Sequence, residues 1–133
     1  MSVETGSEVL ETLSAPAYTA SVTVGIKAVS PNKAFKENNF ARSRRVKAAR
    51  QGVHWALKQI GKPAFPCVVL MTRIAPSTNG LDAHDNLQGS MKPHVDGVAD
   101  WLGIRDDDKR VTWRYGQERG TDYAVRITVQ ADA

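Results

Sequence analysis

An α/β (α+β) fold in a single domain is predicted, with one mixed β-sheet, the element order β-α-β-α-β-β and two helices packed on the sheet. Three observations predict it. Residues 20–29 alternate Val22, Val24, Ile26 and Ala28 with Ser21, Thr23, Gly25 and Lys27, the period-two pattern of a half-buried strand. Residues 40–60 repeat Val46, Ala49, Val53, Ala56, Leu57 and Ile60 at helical spacing. Residues 109–117 and 123–130 return to period two after a second, shorter helical pattern. A chain of 133 residues is long enough to bury one core of its own.

Taken in order, residues 1–19 are rich in Ser, Thr, Glu, Gly and Pro and are expected to form a flexible arm, leaving 20–133 as the folded domain. Ser30-Pro31-Asn32 ends the first strand as a turn. Asn38-Asn39 can cap the long helix, Gly61 is its expected stop, and Pro63 and Pro66 prevent resumption. Trp55 lies near the apolar stripe and is assigned to the core; His54 is assigned to the surface. Residues 67–74 form a nearly continuous apolar run, as expected of a central strand covered on both faces. Ser90 can cap a helix that runs to Leu102, with Pro93 in its tolerant first turn, Met91, Val95, Val98 and Leu102 buried, and Gly103 as its end. The two final strands, around residues 118–122, are expected to pair as an antiparallel hairpin.

Charge is unevenly spread. Net charge is +4, yet residues 21–74 hold eleven Lys or Arg against the single acid Glu37, while residues 75–133 hold ten acids against seven bases. A basic segment beside an acidic one suits an enzyme acting on a polyanion. No apolar run approaches a membrane span, and the N-terminus lacks the basic and apolar regions of a secretory signal. The single cysteine, Cys67, opens an apolar run and is expected to be a small core residue in a reducing compartment.

Seven of the fourteen acids fall in residues 81–108: Asp82, Asp85, Asp96, Asp100, Asp106, Asp107 and Asp108. Carboxylates this concentrated repel one another unless a cation lies among them. Mg²⁺ is the usual choice, because it takes oxygen ligands and is often held by one or two carboxylates plus substrate phosphates. Lys92, Asp96 and Asp100 recur at i, i+4 and i+8 and so share a helix face. One cysteine and three histidines cannot build a Cys/His metal site, and neither a Walker loop nor a Gly-x-Ser-x-Gly elbow is present. The residues alone leave open metal-dependent phosphate chemistry or a solvated acidic surface.

Further residues narrow this. Val29-Ser30-Pro31-Asn32 resembles a Pro-Ser-x-Asn-type turn after a first strand. Asp85-Asn86-Leu87 looks like the end of an Asp-x-Asp-Asn element, followed by a lysine (Lys92), a helix aspartate (Asp96) and an Asp-Asp pair (Asp107-Asp108) with an apolar residue, Val111, three positions on. In these features, over about residues 22–130, the chain resembles the RusA-type Holliday-junction resolvases, including the RusA-like endonucleases of phages and prophages. It departs from their pattern where Ala83-His84, two residues instead of one, separates Asp82 from Asp85, where Lys92 comes a few residues late, and where three consecutive aspartates offer three choices of final ligand. Asp108 is favoured among them.

The resemblance implies a cytoplasmic homodimer, in a bacterial or phage-infected cell, that cuts branched DNA such as a four-way junction with Mg²⁺, for which Mn²⁺ substitutes. It implies catalytic roles for Asp82, Asp85, Lys92 and Asp108, with Asp82, Asp85, Asp107 and Asp108 as metal ligands. Lys33, Lys36, Arg42, Arg44, Arg45, Lys47 and Arg50 are the expected backbone-phosphate contacts. The rival expectations are a non-catalytic, structure-selective DNA-binding module, a nuclease of another specificity, and an assembly protein with an acidic surface.

Overall fold

The computed structural model describes residues 19–29, 38–76 and 87–131. The fold is mixed α+β: β1 (Thr19–Val24), α1 (Asn39–Leu57), β2 (Cys67–Ala75), the single turn α2 (Gln88–Ser90), α3 (Lys92–Leu102), β3 (Val111–Arg119) and β4 (Ala124–Ala131). The four strands form one sheet in the order β1-β4-β2-β3. Strand β2 runs parallel to β3 and antiparallel to β4, and β4 runs antiparallel to β1. Adjacent parallel strands need a long crossover, and α2 and α3 lie in it.

The strand register sorts the sheet into two faces. Val22, Ile127, Met71 and Tyr115 form one cross-strand row, and Val129, Val69 and Trp113 another. These rows share a core cluster with Val53 and Leu57 of α1 and with Val95, Val98, Trp101 and Leu102 of α3. The helices therefore cover this face. The opposite rows, such as Ser21, Thr128, Leu70 and Arg114, are polar apart from β2. Val68, Leu70 and Ile74 are only half-buried there, so β2 is central but covered by helices on one face, not two. Long cross-strand neighbours, including Arg114 and Gln130, flank those apolar side chains and replace a second helix layer.

The last two strands run in opposite directions as expected, but they are not a hairpin. Strand β2 lies between them. The four residues joining them cross two strand spacings, about 10 Å, which is within their reach. This puts β4, with Val125, Ile127 and Val129 fully buried, inside the sheet. Strand β3, whose Thr112, Arg114, Gln117 and Glu118 are exposed, becomes an edge, where polar residues discourage further pairing.

Local signals account for the helix ends. Ala41 N–H donates to Asn38 Oδ1 at 2.7 Å, an N-cap worth about 1 kcal/mol. Helix α1 stops at Leu57, earlier than Gly61, because Gln59 and Ile60 form tighter i→i+3 bonds to Ala56 and Leu57, and Ile60 packs back on the core. Ser90 is not a cap: it is buried and its hydroxyl donates to the Leu87 carbonyl at 2.7 Å, inside the preceding turn. Gly103 does end α3, at φ 73°, a conformation favouring glycine, and Ile104 N–H closes on the Ala99 carbonyl at 3.0 Å.

Helices α1 and α3 meet at Gly97. A Cβ there would lie 2.6 Å from the Arg50 carbonyl oxygen and 2.9 Å from Val53 Cβ. Only a hydrogen at this position lets the helices approach so closely. One turn further along α3, the same approach brings the Arg50 guanidinium onto Asp100.

Candidate active site

The start of α3, the segment after it and the inner face of β3 enclose a cavity of about 350 Å³ lined by Gln88, Gly89, Lys92, Val95, Asp106, Trp113 and Tyr115. Each lining residue has a local cause. Lys92 is the first residue of α3, and Pro93 behind it occupies the turn where a missing N–H costs little. Trp113 and Tyr115 point to the helix side because they alternate with Thr112 and Arg114 along β3. The Trp113 indole N–H donates to the Asp106 backbone carbonyl at 3.1 Å, which ties the segment after α3 to the strand.

Two carboxylates from different segments converge on Lys92. Its ammonium donates to Asp96 Oδ1 at 3.0 Å, one turn along α3, and to Asp106 Oδ2. The bond to Asp106 holds the Lys92 pKa above its ordinary value, with Asp96 adding to the effect. The same bond holds the Asp106 carboxyl below the usual carboxylate range. Burial raises the Tyr115 phenol, while a hydrogen bond with Gln88 pulls the other way. The cavity wall thus carries an ammonium, the Asp106 carboxylate, a phenol and an indole, with Asp96 bonded to the ammonium from one turn along α3.

The three consecutive aspartates are sorted by their partners. Asp106 joins Lys92. Asp107 pairs with Arg105 at 3.2 Å on an open surface. Asp108 accepts from the Arg110 backbone N–H at 2.9 Å and from its guanidinium at 2.9 and 3.1 Å, which lowers its pKa to about 2. The sequence favoured Asp108; it is Asp106 that the structure brings to Lys92 and Asp96. The spacing to Val111 that favours Asp108 does not say which carboxylate meets Lys92, because that is set by how the chain leaves α3. Asp82, Asp85, Lys33 and Lys36 lie outside the described residues.

Among the described residues no three carboxylate, imidazole or thiol groups converge in a way that could hold a metal ion. Asp96 and Asp106 nevertheless converge on one cationic atom. Two oxygen donors meeting at a cation fit a hard divalent ion, which is often held by one or two carboxylates.

The basic residues of α1 are not equivalent. Arg50 is committed to Asp100 through Nε–Oδ2 at 2.6 Å and Nη2–Oδ1 at 2.8 Å. Arg44 stacks on Phe40, 4.8 Å from the ring centroid. Arg44 and Lys47 are exposed, while Arg42 and Arg45 are half-buried. Trp55 is a correction: it is 65% exposed, not core. It stands two residues from both Val53 and Leu57, about 200° around a helix, which places it opposite the buried stripe. That offset was the available signal. In the sequence, Trp113 and Tyr115 carry only the period-two signal of residues 109–117; their place in a cavity depends on which helix end packs opposite them.

No helix among the described residues is long and apolar enough to cross a membrane. In comparisons with known proteins, no family model and no curated protein matches the chain.

Proposed function

We propose that the chain is a metal-dependent endodeoxyribonuclease that hydrolyses phosphodiesters in branched DNA, in the manner of the RusA-type resolvases it resembles in sequence. The observation that carries this is the Lys92 ammonium held between Asp96 and Asp106 at the mouth of a cavity walled by Trp113 and Tyr115. Net positive charge on α1 supplies the backbone attraction such a substrate needs.

Asp106, together with Asp82 and Asp85 from the motif, would hold Mg²⁺ or Mn²⁺. Asp85 is three residues from Gln88 in the chain, a separation spanned in at most about 11 Å. When bound, the metal polarises the scissile phosphate and lowers the pKa of the attacking water. Asp96 keeps Lys92 charged and fixed, and Lys92 steadies the negative charge that grows on the phosphate. The Trp113 bond to the Asp106 carbonyl holds that carboxylate's backbone in place. Arg44 and Lys47 contact the DNA backbone, with strong salt dependence and little base readout. A two-fold dimer would present one site to each of two related strands of a four-way junction.

The test is nicking of a synthetic four-way junction in Mg²⁺, beside linear duplex and single strands. Asp106→Asn is expected to reduce nicking at least about a hundredfold while junction binding persists, since losing an acid reduces repulsion of DNA. Full nicking by this variant would remove Asp106 from the site. A second reading, metal-independent binding of branched DNA without cleavage, is favoured by one observation: Lys92 already neutralises much of the Asp96 and Asp106 charge. It predicts junction retardation unaffected by chelator and no nicks.

A further inference from the structure

One side chain on α1 is unused by backbone binding. Trp55 walls a second cavity, of about 430 Å³, together with Lys47, His54, Lys58 and the Arg50–Asp100 pair. Lys47, Gln51, His54, Trp55 and Lys58 fall at i, i+4, i+7, i+8 and i+11, one continuous helix stripe. The stripe lies opposite the buried residues Ala49, Val53 and Leu57. Lys58 Nζ sits 4.5 Å from the Trp55 ring centroid. Among the described residues the only acid in the cavity wall is Asp100, and Arg50 already neutralises it. Among the described residues neither Lys47 nor Lys58 forms an ion pair with a carboxylate.

The ligand that fits must bring a flat apolar surface for the indole and negative charge for the ammonium groups. A nucleotide brings both: bases stack on aromatic rings regardless of identity, and the phosphates meet the cations. A second copy of the chain complements the stripe poorly. Of its seven described acids, Asp96, Asp100, Asp106, Asp107, Asp108 and Glu118 are already paired with bases of the same chain, which leaves the single carboxylate of Asp122 for two ammonium groups. The cavity size lies within the range of small-ligand sites.

We propose that the Trp55 face of α1 binds an unpaired nucleotide of single-stranded DNA, with the base stacked on the indole and the flanking phosphates on Lys47 and Lys58. This rests on the nuclease reading in taking DNA as the polymer, and it adds that unpaired bases near the branch are part of what is recognised. The two cavities adjoin the same row of α3: Asp100 borders one and Lys92 the other, eight residues or about 12 Å apart. A strand leaving Trp55 can follow that row to Lys92.

The experiment measures anisotropy of a labelled oligothymidine and of an abasic oligomer of equal length, in chelator, at several salt concentrations. The wild-type chain is expected to bind the oligothymidine about tenfold more tightly than the abasic oligomer. Trp55→Ala should abolish that preference and Trp55→Phe should retain most of it, with unchanged circular dichroism because the side chain is exposed. Lys47→Ala and Lys58→Ala should weaken both oligomers alike and lower the salt slope by about one each. If Trp55→Ala keeps the preference, or Trp113→Ala removes it instead, the proposal is overturned. If neither oligomer binds but junctions are nicked, this proposal alone falls; if there is neither binding nor nicking, the nuclease reading falls with it. A drop in molecular mass of Trp55→Ala in light scattering, with DNA binding intact, would make the face an interface between copies and overturn the proposal.

Discussion

The two ends of the charged row on α3 use the same chemistry in different geometries. At the far end, Asp100 meets Arg50 through two parallel bonds, 2.6 and 2.8 Å, that match a planar guanidinium to a carboxylate. The pair is complete in itself and ties α3 to α1. At the near end, the Lys92 ammonium is shared between Asp96 of its own helix and Asp106 of the next segment, and Lys92 and Asp106 line a cavity. A point charge between two acids can exchange one partner for a substrate phosphate; a forked pair gives up two bonds at once to do the same. Matching charges along a helix therefore do not reveal which pair is structural. The partner's geometry and the adjoining space do.

The largest expected effect separates the two ends directly. Lys92→Met should cut junction nicking by about two to three orders of magnitude, the scale of removing one group that stabilises transition-state charge. Asp100→Asn should leave the nicking rate constant at saturating DNA within about threefold, because a charge that is not at the reacting phosphate adds little transition-state stabilisation. Equal losses in both variants would erase the distinction between the two ends.

Next in size is the helix contact that lies between them. Gly97→Ala should destabilise the fold by about 1–3 kcal/mol in urea unfolding, since the added carbon overlaps the Arg50 carbonyl and Val53. Unchanged stability would mean that the helices separate without cost.

A smaller effect is tied to pH. His94, two residues from Lys92 but on the buried side of α3, donates from Nε2 to the Ile26 carbonyl at 3.1 Å, and its buried Nδ1 has no partner among the described residues. Burial pushes its pKa below 6.5, so folding excludes a proton that the unfolded chain binds. Stability is then full above about pH 6.5 and declines as pH falls from there toward the folded-state pKa, by at most about 1.4 kcal/mol per pH unit. The decline between pH 6.5 and 5 should vanish in His94→Gln. A decline that persists in that variant would assign the effect to other groups.

The smallest effect is Arg50→Gln. Both partners of this pair are well exposed, so unfolding should shift by no more than about 1 kcal/mol even though the geometry is bidentate. A shift of several kcal/mol would show that the pair, and not the apolar contact at Gly97, sets the helix packing.

Local patterning alone determined much of this protein. Period-two alternation placed β3, β4 and the first half of residues 20–29, where β1 ends at Val24 although the alternation runs on through Ile26 and Ala28; the stripe Met91, Val95, Val98 and Leu102 marked the buried side of α3, and Asn38 and Gly103 marked helix ends. These signals are legible because they depend on neighbours within one turn or one strand. The acidic run after α3 was also visible from sequence, as was the i, i+4 relation of Lys92 to Asp96.

Tertiary structure decided the rest, and in each instance the deciding partner is remote in sequence. That β4 slots between β1 and β2, and not beside β3, depends on which edge best buries Val125, Ile127 and Val129. That Asp106 meets Lys92, while Asp107 and Asp108 turn to Arg105 and Arg110, depends on how the chain leaves Gly103 and is fastened by Trp113. That Trp55 faces outward beside Lys58, and that Arg50 is held by Asp100, depends on how closely α1 approaches α3 at Gly97. Side-chain periodicity specifies which face of an element is apolar; only the packed arrangement specifies what that face, and the one opposite, will meet.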